Sequence, residues 1–340
     1  MDLSVIVPVH NEEPFNLKLL ISRLKEVMVR NDAALSFELI FIDDGSRTQT
    51  RNYLRDLQKQ NDEVKLVFLS RNFGEQSAIA AGLAHASGDS VVNMDSDLQD
   101  PPELLPQMLA YWRQGYDVVY TRQVNRREPL SKRLPAFLFY RLLNSISEIS
   151  IPHDAGEFRL MSRPVVDALN KLPEKTRFLR GLVPWVGFKS KEIPFVREIR
   201  QSGQSGYTLR KLVKLALDAI VAFSAAPLYL IGWLGALVLT IALGNIAYLM
   251  LNPQAAALTA TSNLLLCELG VFAGVQLLAL GIIAVYVARL IGEIRGRPTY
   301  IVAETVGFEN ERAAAGPSQK ILVASAACEV EPNRFLKVIE

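Results

Sequence analysis

The sequence predicts an α/β protein: a mainly parallel sheet flanked by helices, then an amphipathic helix and a two-helix transmembrane hairpin. Three observations carry this. β-rich runs alternate with helix-like segments up to about residue 125. Two apolar stretches, Ala226 to Leu251 and Leu264 to Ala288, each exceed the roughly 20 residues that cross a bilayer. Between Ser224 and Ala288 the only Asp, Glu, Lys or Arg is Glu268.

Composition narrows the class. Of 340 residues, 50% are hydrophobic and 21% charged, which excludes a disordered chain. With 37 basic against 35 acidic residues the formal net charge is +2, so nothing marks a nucleic-acid binder. Two cysteines, Cys267 and Cys328, cannot build a disulfide framework or a four-thiolate zinc site. His10, His85 and His153 lie far apart, outside any HExxH pattern, and read as structural or surface residues. Asp2 and the alternating run after it lack the basic flank and long apolar core of a secretory signal, so the polar part is expected to stay cytoplasmic.

Taken in order, Leu3–Val9, Phe37–Ile42, Val64–Leu69, Ser90–Met94 and Asp117–Thr121 read as strands. Pro14–Arg30, Thr48–Gln60, Glu75–Ala86 and Pro102–Gly115 read as the helices between them. Such alternation gives right-handed βαβ units, and ligands bind at the carboxyl ends of their strands. The polar signatures fall at those ends: His10-Asn11-Glu12-Glu13, Asp43-Asp44-Gly45-Ser46 and Asp95-Ser96-Asp97.

Beyond residue 125 the pattern loosens. Pro135–Ile146 is a helix candidate, Phe158–Leu172 a second α/β stretch and Phe195–Arg200 a strand, and residues 201–206 form a Gly/Ser/Gln loop. From Tyr207 to Phe223, Arg210, Lys211, Lys214 and Asp218 share one side of a helix whose remainder is apolar, which suits a membrane surface. The hairpin follows. Its connecting loop, Asn252 to Asn263, carries no charge, whereas Arg210, Lys211 and Lys214 flank one side and Arg289, Arg295 and Arg297 the other. Basic flanks stay inside, so both should be cytoplasmic and the loop outside. Glu268 reads either as a polar contact between helices or as an interfacial residue. The segment after Val306 carries no readable function.

Asp95 and Asp97 flank a serine just after an apolar strand, so both carboxylates can point one way if the chain stays extended. With the amide oxygen of Gln99 and the oxygens of a diphosphate they suit Mg²⁺ or Mn²⁺. No GxGxxG follows the first strand and no GxxxxGK[ST] occurs, so dinucleotide and P-loop readings lose their supports.

Val7-Pro8-Val9-His10-Asn11-Glu12-Glu13, Phe41-Ile42-Asp43-Asp44-Gly45-Ser46 and Asp95-Ser96-Asp97 together resemble the family 2 glycosyltransferases, which have the Rossmann-like GT-A fold. Arg71-Asn72-Phe73-Gly74, Asp95 to Pro102, Asp154 to Arg163, Tyr207 to Leu212 and Gly296-Arg297-Pro298 look like the polyprenyl-phosphate branch, nearest the bactoprenol glucosyltransferases and dolichyl-phosphate mannose synthases. The resemblance covers roughly residues 1 to 305. It implies four parts: a GT-A domain over 1–206, an amphipathic helix over 207–223, a transmembrane hairpin over 224–290 and a cytoplasmic segment over 291–340.

The same resemblance implies the site. Pro8, Asn11, Glu12 and Asp44 would line the nucleoside pocket, with Asp95 also touching the nucleotide sugar. Asp95, Asp97 and Gln99 would hold Mg²⁺ or Mn²⁺ and the diphosphate, and Asp154 would sit by the donor sugar as a third catalytic residue. Arg159, Arg163, Arg200, Tyr207 and Arg210 would receive the acceptor phosphate, a group the guanidinium fork fits. Relatives carry a lysine where this chain has Gly206, so Arg200 or Arg210 would have to compensate. The expected partners are UDP-glucose, polyprenyl (undecaprenyl) phosphate and the inner-membrane bilayer, with no nucleic acid. A homo-oligomer and a flippase partner are compatible with such an enzyme. GDP-mannose or a UDP-aminoarabinose derivative as donor, and a catalytically dead membrane scaffold, stay open beside UDP-glucose. The Gln-x-x-Arg-Trp signature of processive synthases is absent.

Overall fold

The computed structural model describes residues 1–31, 35–124, 155–174, 179–196, 226–251 and 262–308. The chain divides into two compact units: Met1–Arg133 with Ile151–Ser205 and Pro298–Glu340, and Leu134–Ser150 with Gly206–Arg297.

In the first unit, strands β1 (Leu3–Val9), β2 (Phe37–Asp43), β3 (Val64–Leu69) and β4 (Ser90–Asn93) alternate with helices α1 (Pro14–Asn31), α2 (Thr48–Lys59) and α3 (Glu75–His85). A 3₁₀ turn, Pro102–Leu104, leads into α4 (Leu105–Arg113). After it come β5 (Val118–Val124), β6 (Ala155–Ser162), α5 (Arg163–Lys171), α6 (Leu179–Trp185), β7 (Ser190–Val196) and, much later, β8 (Val302–Val306). They form one eight-stranded sheet in the order β7-β5-β6-β4-β1-β2-β3-β8. β1 to β4 run parallel, β6 is antiparallel to both β4 and β5, and β8 is antiparallel to β3.

The strand sequences are nearly continuous apolar runs because both faces are covered. Leu3, Val5, Val7 and Val9 of β1 share one core with Leu17, Leu20 and Leu24 of α1, Leu54 of α2 and Met108 of α4. The opposite face meets α3, where a Cβ added to Gly82 would stand 2.8 Å from Ile42 Cδ1 and 3.1 Å from Ile6 Cβ. That closeness is why the helix carries glycine there.

β1 and β3 match the expected runs, β2 runs one residue further, to Asp43, and β4 ends one residue earlier, at Asn93. β7 takes in Phe195 and Val196 of the strand expected over Phe195–Arg200 but begins earlier, at Ser190; residues 197–200 lie outside the described residues. Pro194 is tolerated because, among the described residues, β7 is an edge strand paired only with β5. β8 was not expected. Its chain seals the free edge of β3, with Ser70 N–H donating to Ile301 O at 2.9 Å and Arg55 paired to Glu304 at 2.7 Å.

The second unit contributes α7 (Ala226–Leu251) and α8 (Ser262–Ile294). Among the described residues one stretch, Val271–Ile294, is long and apolar enough to cross a membrane, and Pro227–Ile241 within α7 is a shorter apolar stretch. The two expected spans are thus represented by one qualifying helix and one shorter stretch. Large apolar side chains on both stand in the open, Trp233 at 76% and Leu277 at 69% exposure, as a lipid-facing surface would require. Helix 135–146, loop 201–206, the amphipathic helix 207–223, residues 252–261 of the charge-free loop and the tail after 308 lie outside the described residues.

Candidate active site

The strand order reverses at β1. The chain runs outward from β1 through β2 and β3, then crosses back to place β4 on the other side of β1. Ligand crevices of open α/β sheets lie at such a reversal, beyond the carboxyl ends of the two diverging strands. Those ends carry Pro8 to Glu13 and Asp95 to Asp100.

Pro8 marks where the crevice opens. β4 pairs with β1 only as far as Asn93 opposite Ile6, and Met94 N–H then donates to Ile6 O. A proline N two residues further along β1 faces the β4 side past its end, so no ladder bond is lost. Asn11 follows in the left-handed region, φ 54, which Asn tolerates better than most residues. Its N–H donates to Ser46 Oγ at 2.9 Å, and its side-chain oxygen accepts from Arg47 N–H at 2.9 Å, at the start of α2. Glu12 reaches across the crevice, accepting from Asn16 Nδ2 at 2.6 Å and from Ser96 Oγ at 3.5 Å.

Asp44 holds a third loop. Its two carboxylate oxygens accept the N–H groups of Phe73 at 2.7 Å and Gly74 at 2.9 Å, so the Arg71–Gly74 segment is clamped to the end of β2. Neighbouring Asp43 is buried and pairs with Arg51 at 3.0 Å. Burial pushes its carboxyl up; Ser46 and Arg51 oppose this.

The Asp95–Gln99 segment is a turn, not the extended chain the sequence suggested. Asp95 N–H donates to Asp100 Oδ2 at 3.1 Å and Gln99 N–H to Asp97 Oδ1 at 3.1 Å. Between them Leu98 adopts φ 65, an unfavourable conformation for leucine, held by burial of its side chain in the core. Asp95, Asp97 and Gln99 are thereby gathered by a turn that is anchored from below.

A fourth carboxylate stands at this place. Glu75 opens α3 and is exposed by surface area, yet enough protein surrounds its carboxyl to strip hydration. That crowding first, then the charges of Asp95, Glu157 and Asp97, push it up to about 7, against the opposing pull of Arg180.

A family model for glycosyl transferase family 2 matches residues 4–169. The chain is 42% identical over 313 residues to the uncharacterized glycosyltransferase YkcC of Bacillus subtilis, covering 91% of this chain and 95% of that one. It is 34% identical over 307 residues to the bactoprenol glucosyl transferase of Shigella phage SfII, covering 90% and 98%. The chain belongs to glycosyltransferase family 2. Solved structures similar to this family 2 glycosyltransferase include the glucosyl-3-phosphoglycerate synthase of Mycobacterium tuberculosis with UDP, at 19% identity, 65% and 78% coverage and TM-score 0.45. Another is the mannosyltransferase PcManGT of Pyrobaculum calidifontis with GDP-Man and Mn²⁺, at 17%, 78% and 82%, and 0.42.

Within this glycosyltransferase, Pro8, Asn11, Glu12, Asp44, Asp95, Asp97 and Gln99 gather at one end of the sheet. Arg159 shares that end, its Cα opposite Asn93, but the fold uses its guanidinium. It is 4% exposed and donates to Gly156 O at 2.9 Å and Leu179 O at 3.3 Å. Arg163 lies elsewhere. Ser162 sits opposite Ser90 at the amino end of β4, and Arg163 binds Gly88 O through Nε at 2.9 Å. The antiparallel register of β6 carries Arg163 to the end of the sheet opposite the turn that holds Asp95. Asp154, Arg200, Tyr207 and Arg210 lie outside the described residues.

Sequence reasoning passed over Glu75, Gln76, Glu157 and Arg180. Glu157 is 6% exposed, accepts from Arg180 Nε at 2.6 Å and Gln76 Nε2 at 3.3 Å, and lies 3.6 Å from Arg159. Burial would raise its carboxyl, but Arg180 and Arg159 outweigh that and hold it below the usual range. An acidic residue opening the helix that follows a strand end was the legible signal for Glu75. Nothing marked Arg180.

The donor set fits a divalent cation. Asp95, Asp97 and the Gln99 amide offer hard oxygen, and the charge crowding Glu75 is of the kind such an ion offsets. Among the described residues no group of three or more His, Cys, Asp or Glu side chains is arranged to hold a metal, so oxygens of a bound diphosphate would have to complete the shell.

Proposed function

We propose that this family 2 enzyme transfers glucose from UDP-glucose to a polyprenyl phosphate at the cytoplasmic face of the inner membrane, with inversion at the anomeric carbon. The carrying observation is end-to-end similarity to proteins named bactoprenol glucosyl transferase, which this chain covers over 98% of their length. The exposed apolar helix Val271–Ile294 supports an acceptor that lives in lipid. The proposal includes the four-part organisation with a two-helix hairpin and both flanks cytoplasmic. The strand β8 within the last part belongs to the catalytic sheet.

The residues then divide the work. Pro8, Asn11, Glu12 and the Asp44-clamped loop would form the nucleoside side of the crevice, and Asp95, Asp97 and Gln99 the diphosphate side. Mg²⁺ or Mn²⁺ bound by Asp95, Asp97 and Gln99 would neutralise charge developing on the departing nucleoside diphosphate. A phosphate monoester, with a second pKa near 6, is largely dianionic at neutral pH, so the acceptor needs no strong general base. Positioning therefore dominates. Asp154 is assigned to the donor sugar, and Arg200, Tyr207 and Arg210 to the acceptor phosphate; the geometry around Arg159 and Arg163 does not support adding them. Attack opposite the leaving group on a UDP-α-glucose would give a β-linked lipid product.

Purified enzyme in detergent with Mg²⁺, polyprenyl phosphate and separately labelled UDP-glucose, GDP-mannose and UDP-aminoarabinose donors tests this directly. Labelled lipid from UDP-glucose is expected; label from another donor alone would reassign the sugar, and none from any donor would overturn the enzyme reading. Cysteine labelling within residues 252–261 from outside intact cells tests the hairpin, and reaction only after lysis would reverse the topology.

A further inference from the structure

A family 2 site built on paired aspartates has to manage negative charge before any ligand arrives. Asp95, Asp97 and Glu157 all act on Glu75, and Arg180 opposes them. Arg180 is fixed from three directions. Its Nε donates to Glu157 Oε1 at 2.6 Å, and Gln76 Nε2 donates to the same oxygen at 3.3 Å. Gln76 Oε1 accepts Leu179 N–H at 3.1 Å, while Arg159 holds Leu179 O at 3.3 Å. Both backbone groups of the residue before Arg180 are thus pinned, one to α3 directly after Glu75, the other to β6. Glu157 is tied to β4 as well, since Asn93 Nδ2 donates to Glu157 O at 3.0 Å, two residues before Asp95. The Arg180 side chain is about a third exposed, at 34%, against 5% for its partner Glu157.

The Arg180–Glu157 pair is thus tied to the end of β4 through Asn93, two residues before Asp95, and its positive charge acts on Glu75, the carboxylate that Asp95 and Asp97 crowd. We propose that Arg180, aimed by Glu157 and Gln76, is a positioning counter-charge for the aspartate turn: it weakens the empty site's hold on a divalent cation and returns that charge to a nucleoside diphosphate when one binds. This rests on the assignment of Asp95 and Asp97 as metal ligands. It predicts effects of opposite sign on two ligands, which simple loss of structure does not produce.

Mn²⁺ binding to the full-length enzyme, read by electron paramagnetic resonance without donor, and UDP binding in saturating Mn²⁺, read by calorimetry, are the tests. Arg180→Gln should bind Mn²⁺ about fivefold more tightly, as expected for removing one nearby positive charge in a well-solvated crevice. The same variant should bind UDP about fivefold more weakly. Arg180→Lys should keep Mn²⁺ affinity near wild type. If Arg180→Gln does not fold, the double variant Arg180→Gln with Glu157→Gln removes both charges of the pair together and leaves Arg159 its bonds to Gly156 O and Leu179 O; its Mn²⁺ affinity should stay near wild type while UDP weakens. A folded Arg180→Gln protein with unchanged or weaker Mn²⁺ binding overturns the proposal, and so does a double variant with unchanged UDP binding. If Asp95→Asn abolishes Mn²⁺ binding and Arg180→Gln has no effect, only the counter-charge role fails. A wild-type enzyme that takes up Mn²⁺ neither alone nor with UDP overturns the metal assignment and this role together, and uptake only with UDP, alike in wild type and Arg180→Gln, overturns the counter-charge role alone.

Discussion

The two ends of the parallel sheet both hold buried or crowded carboxylates, and they treat them in opposite ways. At the amino end Glu38, in β2, is fully enclosed. Its Oε1 accepts from the hydroxyls of Ser4 and Ser87 and from Ser87 N–H, and Lys65 sits 2.6 Å from Oε2. Burial alone would raise this carboxyl, but Lys65 and the serine donors prevail and hold it low. At the carboxyl end Glu75 is pushed up among Asp95, Glu157 and Asp97. A carboxylate whose bonds are completed by its own chain joins β1, β2, β3 and the turn before β4. One crowded by other carboxylates leaves bonding capacity for something that is not the chain.

The comparison breaks most visibly at Asp95 and Asp97. Asp95→Asn or Asp97→Asn should lower transfer by about a thousandfold or more while leaving the thermal midpoint within a few degrees. Retained activity would place the chemistry elsewhere. Glu38→Gln should do the reverse, costing about 2 kcal/mol of stability in denaturant titrations with activity per folded molecule unchanged. Because the folded-state pKa of Glu38 is lowered, its contribution is present above the ordinary glutamate range and is lost as pH falls through the lowered value. Stability curves of wild type and Glu38→Gln should therefore converge in acid, and a gap that persists there would refute the ionic account.

Smaller effects sharpen the boundary between the ends. Asp44→Ala releases the Phe73 and Gly74 N–H groups, and should raise the donor KM by about tenfold with a smaller change in kcat. An unchanged KM would show that the loop is not part of the donor pocket. Arg163→Ala, at the amino end, should cost about 1 kcal/mol through its lost bonds to Gly88 O and leave transfer within about twofold. A large activity loss there, at full folding, would restore its place at the acceptor.

Much of the first unit was legible because buried parallel strands are written as unbroken apolar runs, and β1 and β3 begin and end where those runs do, with β2 one residue longer. The crevice was legible for the same reason, since strand ends and polar motifs coincide. What escaped was set by partners distant in sequence. β8 reads Val-Ala-Glu-Thr-Val with its three central residues exposed, and only pairing with β3 makes it a strand. The turn at Asp95 was read as extended chain because nothing in Asp-Ser-Asp-Leu announces that Leu98 will take a positive φ. The position of Arg163 was hidden because its motif gives no sign that β6 runs antiparallel, and Arg180 acquires meaning only beside Glu157.

The late return of β8 has a consequence for how the chain is made. β3 leaves the ribosome with one edge unpaired, and its partner emerges roughly 230 residues later, which at about 5–20 residues per second is a wait of about ten to fifty seconds. All of α7 and α8 is synthesised in between. An unpaired strand edge invites association with other chains. Final closure of the catalytic sheet is therefore timed after the apolar helices have emerged, so a nascent chain stalled before Val302 carries an incomplete sheet whatever the state of its active-site loops.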